Sequence, residues 1–157
     1  MSARASAVRS AGDEPPEVLR AEHPAVFESV PLLLAFIDEA CAQHHVDRES
    51  AFAVRLAVDE VCTNLVRHGY AGRAPGPIAV TFSREAHRVV VTISNRGHPF
   101  DPARAPPPDL ATPAETRRVG GLGWHLVKHV VDHIEYRSDA EVGNRLTLVK
   151  GLREPAG

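Results

Sequence analysis

The chain has little cysteine, little lysine and few aromatics, and no long apolar run. Its 157 residues include two cysteines, Cys41 and Cys62. That is too few for a disulfide scaffold. Both stand among apolar residues in segments of helical pattern, which predicts buried free thiols and a reducing, cytoplasmic setting. No stretch approaches the roughly 20 apolar residues of a membrane span, and there is no signal-peptide core. A net charge of −2 gives no field that would draw nucleic acid or an anionic membrane, so neither is expected as a partner. Only Lys128 and Lys150 among the 18 basic residues are lysine, a bias towards arginine that says little about mechanism. The acid-free start, MSARASAVRSAG, has the Arg/Ser/Ala richness of organelle transit peptides. A disordered tail over residues 1–16 is the simpler expectation.

What is present reads as one domain, residues 17–153, large enough to bury a sizeable core. Glu17–Ala21 has the look of a short edge strand. From Pro24 to His45, Phe27, Val30, Leu33, Leu34, Ile37 and Cys41 recur at helical period, the mark of an amphipathic helix. A second helix is predicted from about Arg48 to His68, with Gly69 as its C-cap. PIAVTFSREAHRVVVTIS gives two strands around a polar turn. Residues 101–119 hold five prolines and little apolar content, which predicts a disordered insert or a functional lid. Then come a helix from Trp124 to about Val131 and two strands, HIEYRS and RLTLVKGL. Helices, hairpin, lid, helix, hairpin is the order of an α+β two-layer sandwich: a mostly antiparallel sheet with helices on one face.

Three places have the residue types for chemistry. Glu60 and Asn64 are one helical turn apart, on the shoulder of the apolar stripe Val54, Val58, Val61 and Leu65. A solvated pair beside a core face is one reading. The other gives Asn64 a magnesium ion, which needs few protein oxygens in a phosphate site, and makes Glu60 the group that deprotonates a nucleophile. Gly120-Gly121-Leu122-Gly123 precedes a helix, where free N–H groups favour phosphate; tight packing or a hinge would use the same glycines. Arg117 and Arg118 stand just before it, where guanidinium groups can close over a polyphosphate. ISNRGHPF ends a β-branched run at Gly97, either at a plain turn or at a wall where the chain approaches a ligand. His125 and His129 have the i, i+4 spacing of zinc pairs but no third ligand in view, so no zinc site is expected.

DEVCTNLVRHGY, NRGHPFDP and GGLGWHLVKHVVD followed by YRS and GNRLTLVK resemble the N-box and the two glycine boxes of the gyrase/Hsp90/histidine-kinase/MutL type of ATPase. Among these the chain is most similar to the anti-sigma-factor serine/threonine kinases of bacterial partner switching, over residues 18–152. The resemblance implies a Bergerat-type ATP-binding fold with a mixed sheet, and ATP and Mg²⁺ as cofactors. It implies Asn64 as magnesium ligand and Glu60 as catalytic base. For the nucleotide it implies Asn64, Asn95, Gly97, Phe100, Arg118, Gly121, Gly123 and Thr147, under a lid at 101–119. The implied substrate is a serine or threonine of an anti-anti-sigma (STAS-type) protein, and the competing partner is a sigma factor. Family members commonly form homodimers, which no residue here decides. The chain departs from the pattern at Asn95, where the family has an aspartate that accepts from the adenine amino group. An asparagine keeps a carbonyl acceptor and loses the charge. A binding module of the same fold, with weak or no nucleotide use, is the alternative to the enzyme.

Overall fold

The computed structural model describes residues 15–100 and 121–153. Its framework is a five-stranded sheet in the order β1-β2-β3-β5-β4. The strands are β1 (Val18–Pro24), β2 (Pro77–Glu85), β3 (Arg88–Asn95), β4 (His133–Asp139) and β5 (Gly143–Gly151). All four pairings are antiparallel. The expected α+β sandwich is therefore present, but the sheet among the described residues is not mixed. Among the described residues three α-helices accompany it: α1 (Ser29–Gln43), α2 (Arg48–Asn64) and α3 (Gly121–Val130).

Period-two alternation divides the sheet into two faces. Ile78, Val80 and Phe82 of β2, Val89, Val91 and Ile93 of β3, and Leu146 and Leu148 of β5 are buried on one face. They pack against Leu33 and Ile37 of α1, Val54, Val58 and Val61 of α2, and Val127 of α3. Each such side chain, fully buried, contributes about 1.5–3 kcal/mol, and together they hold the two layers in register. The other face carries half-exposed residues such as Thr81, Thr92 and Thr147. Cys41 and Cys62 are buried and unbridged. Burial pushes their thiols up to about 11 and about 12 respectively, with Asp38 and Asp59 adding to the effect. They are inert packing groups at neutral pH.

Local chemistry sets the helix limits. Strand β1 runs on to Pro24, paired with Pro77, and the N–H of Ala25 donates to Gly76 O at 2.8 Å. Helix α1 consequently starts five residues later than its apolar period suggests. At its end, His45 takes a left-handed φ of 53° and the Arg84 guanidinium donates to the carbonyls of His44 and His45. Helix α2 opens on Asp47, whose carboxylate accepts from Ser50 N at 2.9 Å, as a good N-cap does. Its far end departs from expectation. Leu65–Gly69 winds as a π-helical turn. The left-handed glycine lies further on, at Gly72 with φ 77°, so Gly69 is not the C-cap. Among the described residues no helix is long and apolar enough to cross a membrane.

Candidate functional site

Glu60 and Asn64 lie on the last turn of α2, both half-buried beside the buried Val61 and Cys62. The carboxyl of Glu60 is held above the ordinary carboxylate range. Burial is the main cause, the charge of Asp59 adds to it, and Arg67 opposes it. Helix α3 packs so closely here that a Cβ on Gly123 would overlap Glu60 Oε2 and come within 3.0 Å of its Cδ. Only glycine lets the carboxylate lie against the first turn of α3. Gly121 is the first residue of that helix. Asn64 makes no side-chain cap for the π turn that follows it. π turns interrupt helices disproportionately at functional sites.

The end of β3 forms the second part. A Cβ on Gly97 would fall on the carbonyl oxygen of Gly69, 2.6 Å from its carbon. The same carbonyl accepts from His98 N at 2.7 Å. Gly97 is glycine because two backbone segments touch there. The Tyr70 hydroxyl adds a second tie, donating to Pro77 O at 2.7 Å and accepting from Arg96 N at 2.8 Å. Asn95 shares the sheet's helix-facing side with Ile93 and Val91, and its Oδ1 accepts from Gly97 N at 2.9 Å. The ring of Phe100 lies 5.5 Å from that of Trp124, the residue after Gly123, so the two parts meet.

Asn144 is the residue that sequence reasoning missed. It is buried opposite Asn95 in register. Its Nδ2 donates to Asn95 Oδ1 at 3.0 Å and to Gly97 O at 2.9 Å. Its Oδ1 accepts from Ser138 Oγ at 2.7 Å and Tyr136 Oη at 3.4 Å. Tyr136 Oη in turn accepts from Phe100 N at 2.8 Å. The signal was available: Leu148, Leu146 and Asn144 alternate, so a polar side chain continues a core-facing row. The same alternation corrects Thr147. It pairs with Thr92 on the opposite face, their Oγ1 atoms 3.4 Å apart, away from Asn95. The structure thus brings together Glu60 and Gly123 on one side and Asn95, Gly97 and Phe100 on the other, but not Thr147. Arg117, Arg118 and the 101–119 segment lie outside the described residues. The rings of His125 and His129 lie 4.7 Å apart, tilted by 46°, on an exposed side of α3.

The five-stranded antiparallel sheet with helices on one face has the layout of the ATPase type of domain that the sequence motifs resemble. The family model described as the histidine kinase-like ATPase domain matches residues 23–150, and the chain belongs to that family. Its relatives include the serine-protein kinase RsbW of Listeria monocytogenes, 31% identical over 98 residues, 60% of this chain and 62% of that one. The serine-protein kinase RsbW of Bacillus cereus is 30% identical over 90 residues, 55% of this chain and 56% of its own. The match thus spans about three-fifths of these relatives' length. Among solved structures, the RsbU and RsbW domains of a Mycobacterium tuberculosis protein align with a TM-score of 0.63 at 21% identity, covering 90% of this chain and 34% of that one. The histidine kinase domain of an Erythrobacter litoralis blue-light activated kinase aligns at 0.50 and 20%, covering 66% and 45%. These two likenesses concern the fold.

Proposed function

We propose that the protein is an ATP-dependent serine/threonine protein kinase of partner-switching type, which phosphorylates an anti-anti-sigma protein and sequesters a sigma factor. The observation that carries this reading is the Glu60 carboxylate lying against Gly123 at the start of α3, with its pKa raised by burial. A general base works best with a pKa drawn towards the operating pH. The names of the relatives, serine-protein kinases, agree.

The residues present fit a magnesium nucleotide. Asn64 has a carboxamide that caps nothing, one turn from Glu60, and a neutral oxygen suits a hard cation. Among the described residues Trp124 Nε1, beside Gly123, is buried without a hydrogen-bond partner, a polar group that a ligand would satisfy. Asn64 would hold the ion, the first turn of α3 the phosphates, and Asn95 with Gly97 the base. When bound, the magnesium nucleotide supplies the phosphoryl group and neutralises its charge. The protein's own part is positioning. Glu60 accepts the proton of the attacking hydroxyl at its carboxylate, and the close approach of α3 limits water there.

The alternative, a binding module with weak nucleotide use, draws support from Asn95, whose carbonyl is already engaged by Gly97 and Asn144. Incubating the protein with γ-labelled nucleotide, Mg²⁺ and a STAS-type protein separates the two. The kinase reading expects label on a serine or threonine of that protein. Tight complex formation with a sigma factor and no label would establish the binding module. Under the kinase reading, Asn64→Ala removes the magnesium dependence of nucleotide affinity and leaves the melting curve in place.

A further inference from the structure

The turn that leaves β3 has no backbone N–H to spare. Arg96 N donates to Tyr70 Oη at 2.8 Å, and Gly97 N to Asn95 Oδ1 at 2.9 Å. His98 N donates to Gly69 O at 2.7 Å, and Phe100 N to Tyr136 Oη at 2.8 Å. Pro99 between them has no N–H. Loops commonly leave such groups to water and stay mobile; this one is tied at every donor. The ties come from two directions. Gly69 and Tyr70 lie at the end of the π turn after α2, whereas Tyr136 and Asn144 stand on β4 and β5.

Asn144 is the centre of the second set. A carboxamide offers two N–H donors and two acceptor lone pairs, and on Asn144 all four are used. Nδ2 donates to Asn95 Oδ1 and to Gly97 O, while Oδ1 accepts from Ser138 Oγ and Tyr136 Oη. Gly97 N–H can only donate and Gly97 O can only accept, so flipping either amide would set like groups together. Asn95 is thereby fixed with its oxygen inward. Its Nδ2 has no hydrogen-bond partner among the described residues and is the group left for a ligand.

We infer that Asn144 is a positioning residue for nucleotide binding: with Tyr136 it holds Asn95, Gly97 and the backbone to Phe100 in shape before a ligand arrives. The inference rests on the proposed reading of Asn95 and Gly97 as the base end of a nucleotide site. It adds that this end is set from β4 and β5, by residues that act through Asn95 and Gly97. A site ordered in advance binds without the cost of ordering it. Without Asn144, the Asn95 oxygen and the Gly97 carbonyl each lose a donor, and the Asn95 amide is free to turn. The loss falls on affinity. Glu60 and Gly123, at the other end of the site, keep their own contact.

The test is binding of ATP with Mg²⁺ to the full chain and to Asn144→Ala, Tyr136→Phe, Asn95→Ala and the double variant Asn95→Ala/Asn144→Ala. Melting curves and phosphoryl transfer at saturating ATP accompany it. Asn144→Ala should weaken ATP about tenfold and change transfer at saturation by about twofold at most. Tyr136→Phe, which removes only a hydroxyl from a half-buried ring, should weaken ATP by a smaller factor. It carries the test alone if Asn144→Ala does not fold. With Asn95 already alanine, Asn144→Ala should add about twofold at most, because the group it positions is gone. A purely structural role gives equal losses in both backgrounds, or transfer that falls with melting temperature while affinity holds. Either result overturns the positioning role, as does wild-type affinity in the folded variants. A folded wild type that binds no ATP at millimolar concentration overturns the nucleotide reading and the inference with it.

Discussion

Gly97 and Gly123 are alike in sequence terms, each a glycine at the edge of an element and each read as a place where the chain meets a ligand. Their surroundings differ. The space a side chain would need at Gly97 is taken by the Gly69 carbonyl, a rigid backbone group that also accepts from His98 N. At Gly123 it is taken by the carboxylate tip of Glu60, the far end of a flexible side chain. The first glycine joins two backbone segments, so a side chain there is felt first in stability. The second leaves room at a helix start for an ionisable group, the one proposed as general base. A glycine's role therefore follows from what fills the missing Cβ position, whatever motif it sits in.

The largest effect expected is on the Gly123 side. Glu60→Gln, nearly isosteric, should leave nucleotide affinity in place and lower phosphoryl transfer by about 10²–10⁴-fold, the usual worth of a general base. Single-turnover transfer alongside a binding titration measures it. The wild-type rate should rise with pH as Glu60 loses its proton, and level off above. Because burial, with Asp59, raises that carboxyl, the rise should be centred above the ordinary carboxylate value of about 4.3. Glu60→Gln should flatten that limb. If the variant transfers at the wild-type rate, Glu60 is a surface carboxylate and the two glycines no longer differ in the way described.

On the Gly97 side the readout is stability. Gly97→Ala forces Cβ onto a carbonyl that cannot move without breaking the His98 N–H bond. It should destabilise by about 1–3 kcal/mol, the range for overpacking, measured by denaturant unfolding. An unchanged midpoint would show that the Gly69 turn yields freely.

A smaller effect, remote from both glycines, calibrates the frame. Asp47→Ala removes the N-cap of α2 and should cost about 1 kcal/mol. Burial acts to raise the Asp47 carboxyl, but bonds from Ser50 and Arg153 prevail and hold it below its usual value. Its contribution is therefore present above the unfolded-state pKa and fades as the pH falls through the lower folded-state one. The wild type and Asp47→Ala should converge in stability in acid. A gap that stays constant down to low pH would count against the cap.

Much of this was legible beforehand. The strand runs, the helical period of α1 and α2, and the Glu60/Asn64 pair follow from periodicities that depend on local sequence alone. Thr147 was misplaced although Leu146-Thr147-Leu148 already assigned it to the outer face; a motif likeness outweighed a period-two rule. Asn144 obeyed that rule and was overlooked. The π turn at Leu65–Gly69 was out of reach. Gly69 looks like a C-cap until its carbonyl is seen holding His98 and abutting Gly97, partners some 30 residues away in the chain. For the same reason the orientation of Asn95 could not be read beforehand. It depends on Asn144, which lies on another strand.

The most direct test of the central claim, that Glu60 and the start of α3 form one catalytic site, is phosphoryl transfer by Gly123→Ala. Alanine favours helix over glycine by roughly 1 kcal/mol, and only the Glu60 tip must move, so the variant should melt at or above the wild-type temperature. Its added methyl group should displace the carboxylate and reduce transfer to near the level of Glu60→Gln. A folded Gly123→Ala that transfers phosphate at the wild-type rate would contradict the account.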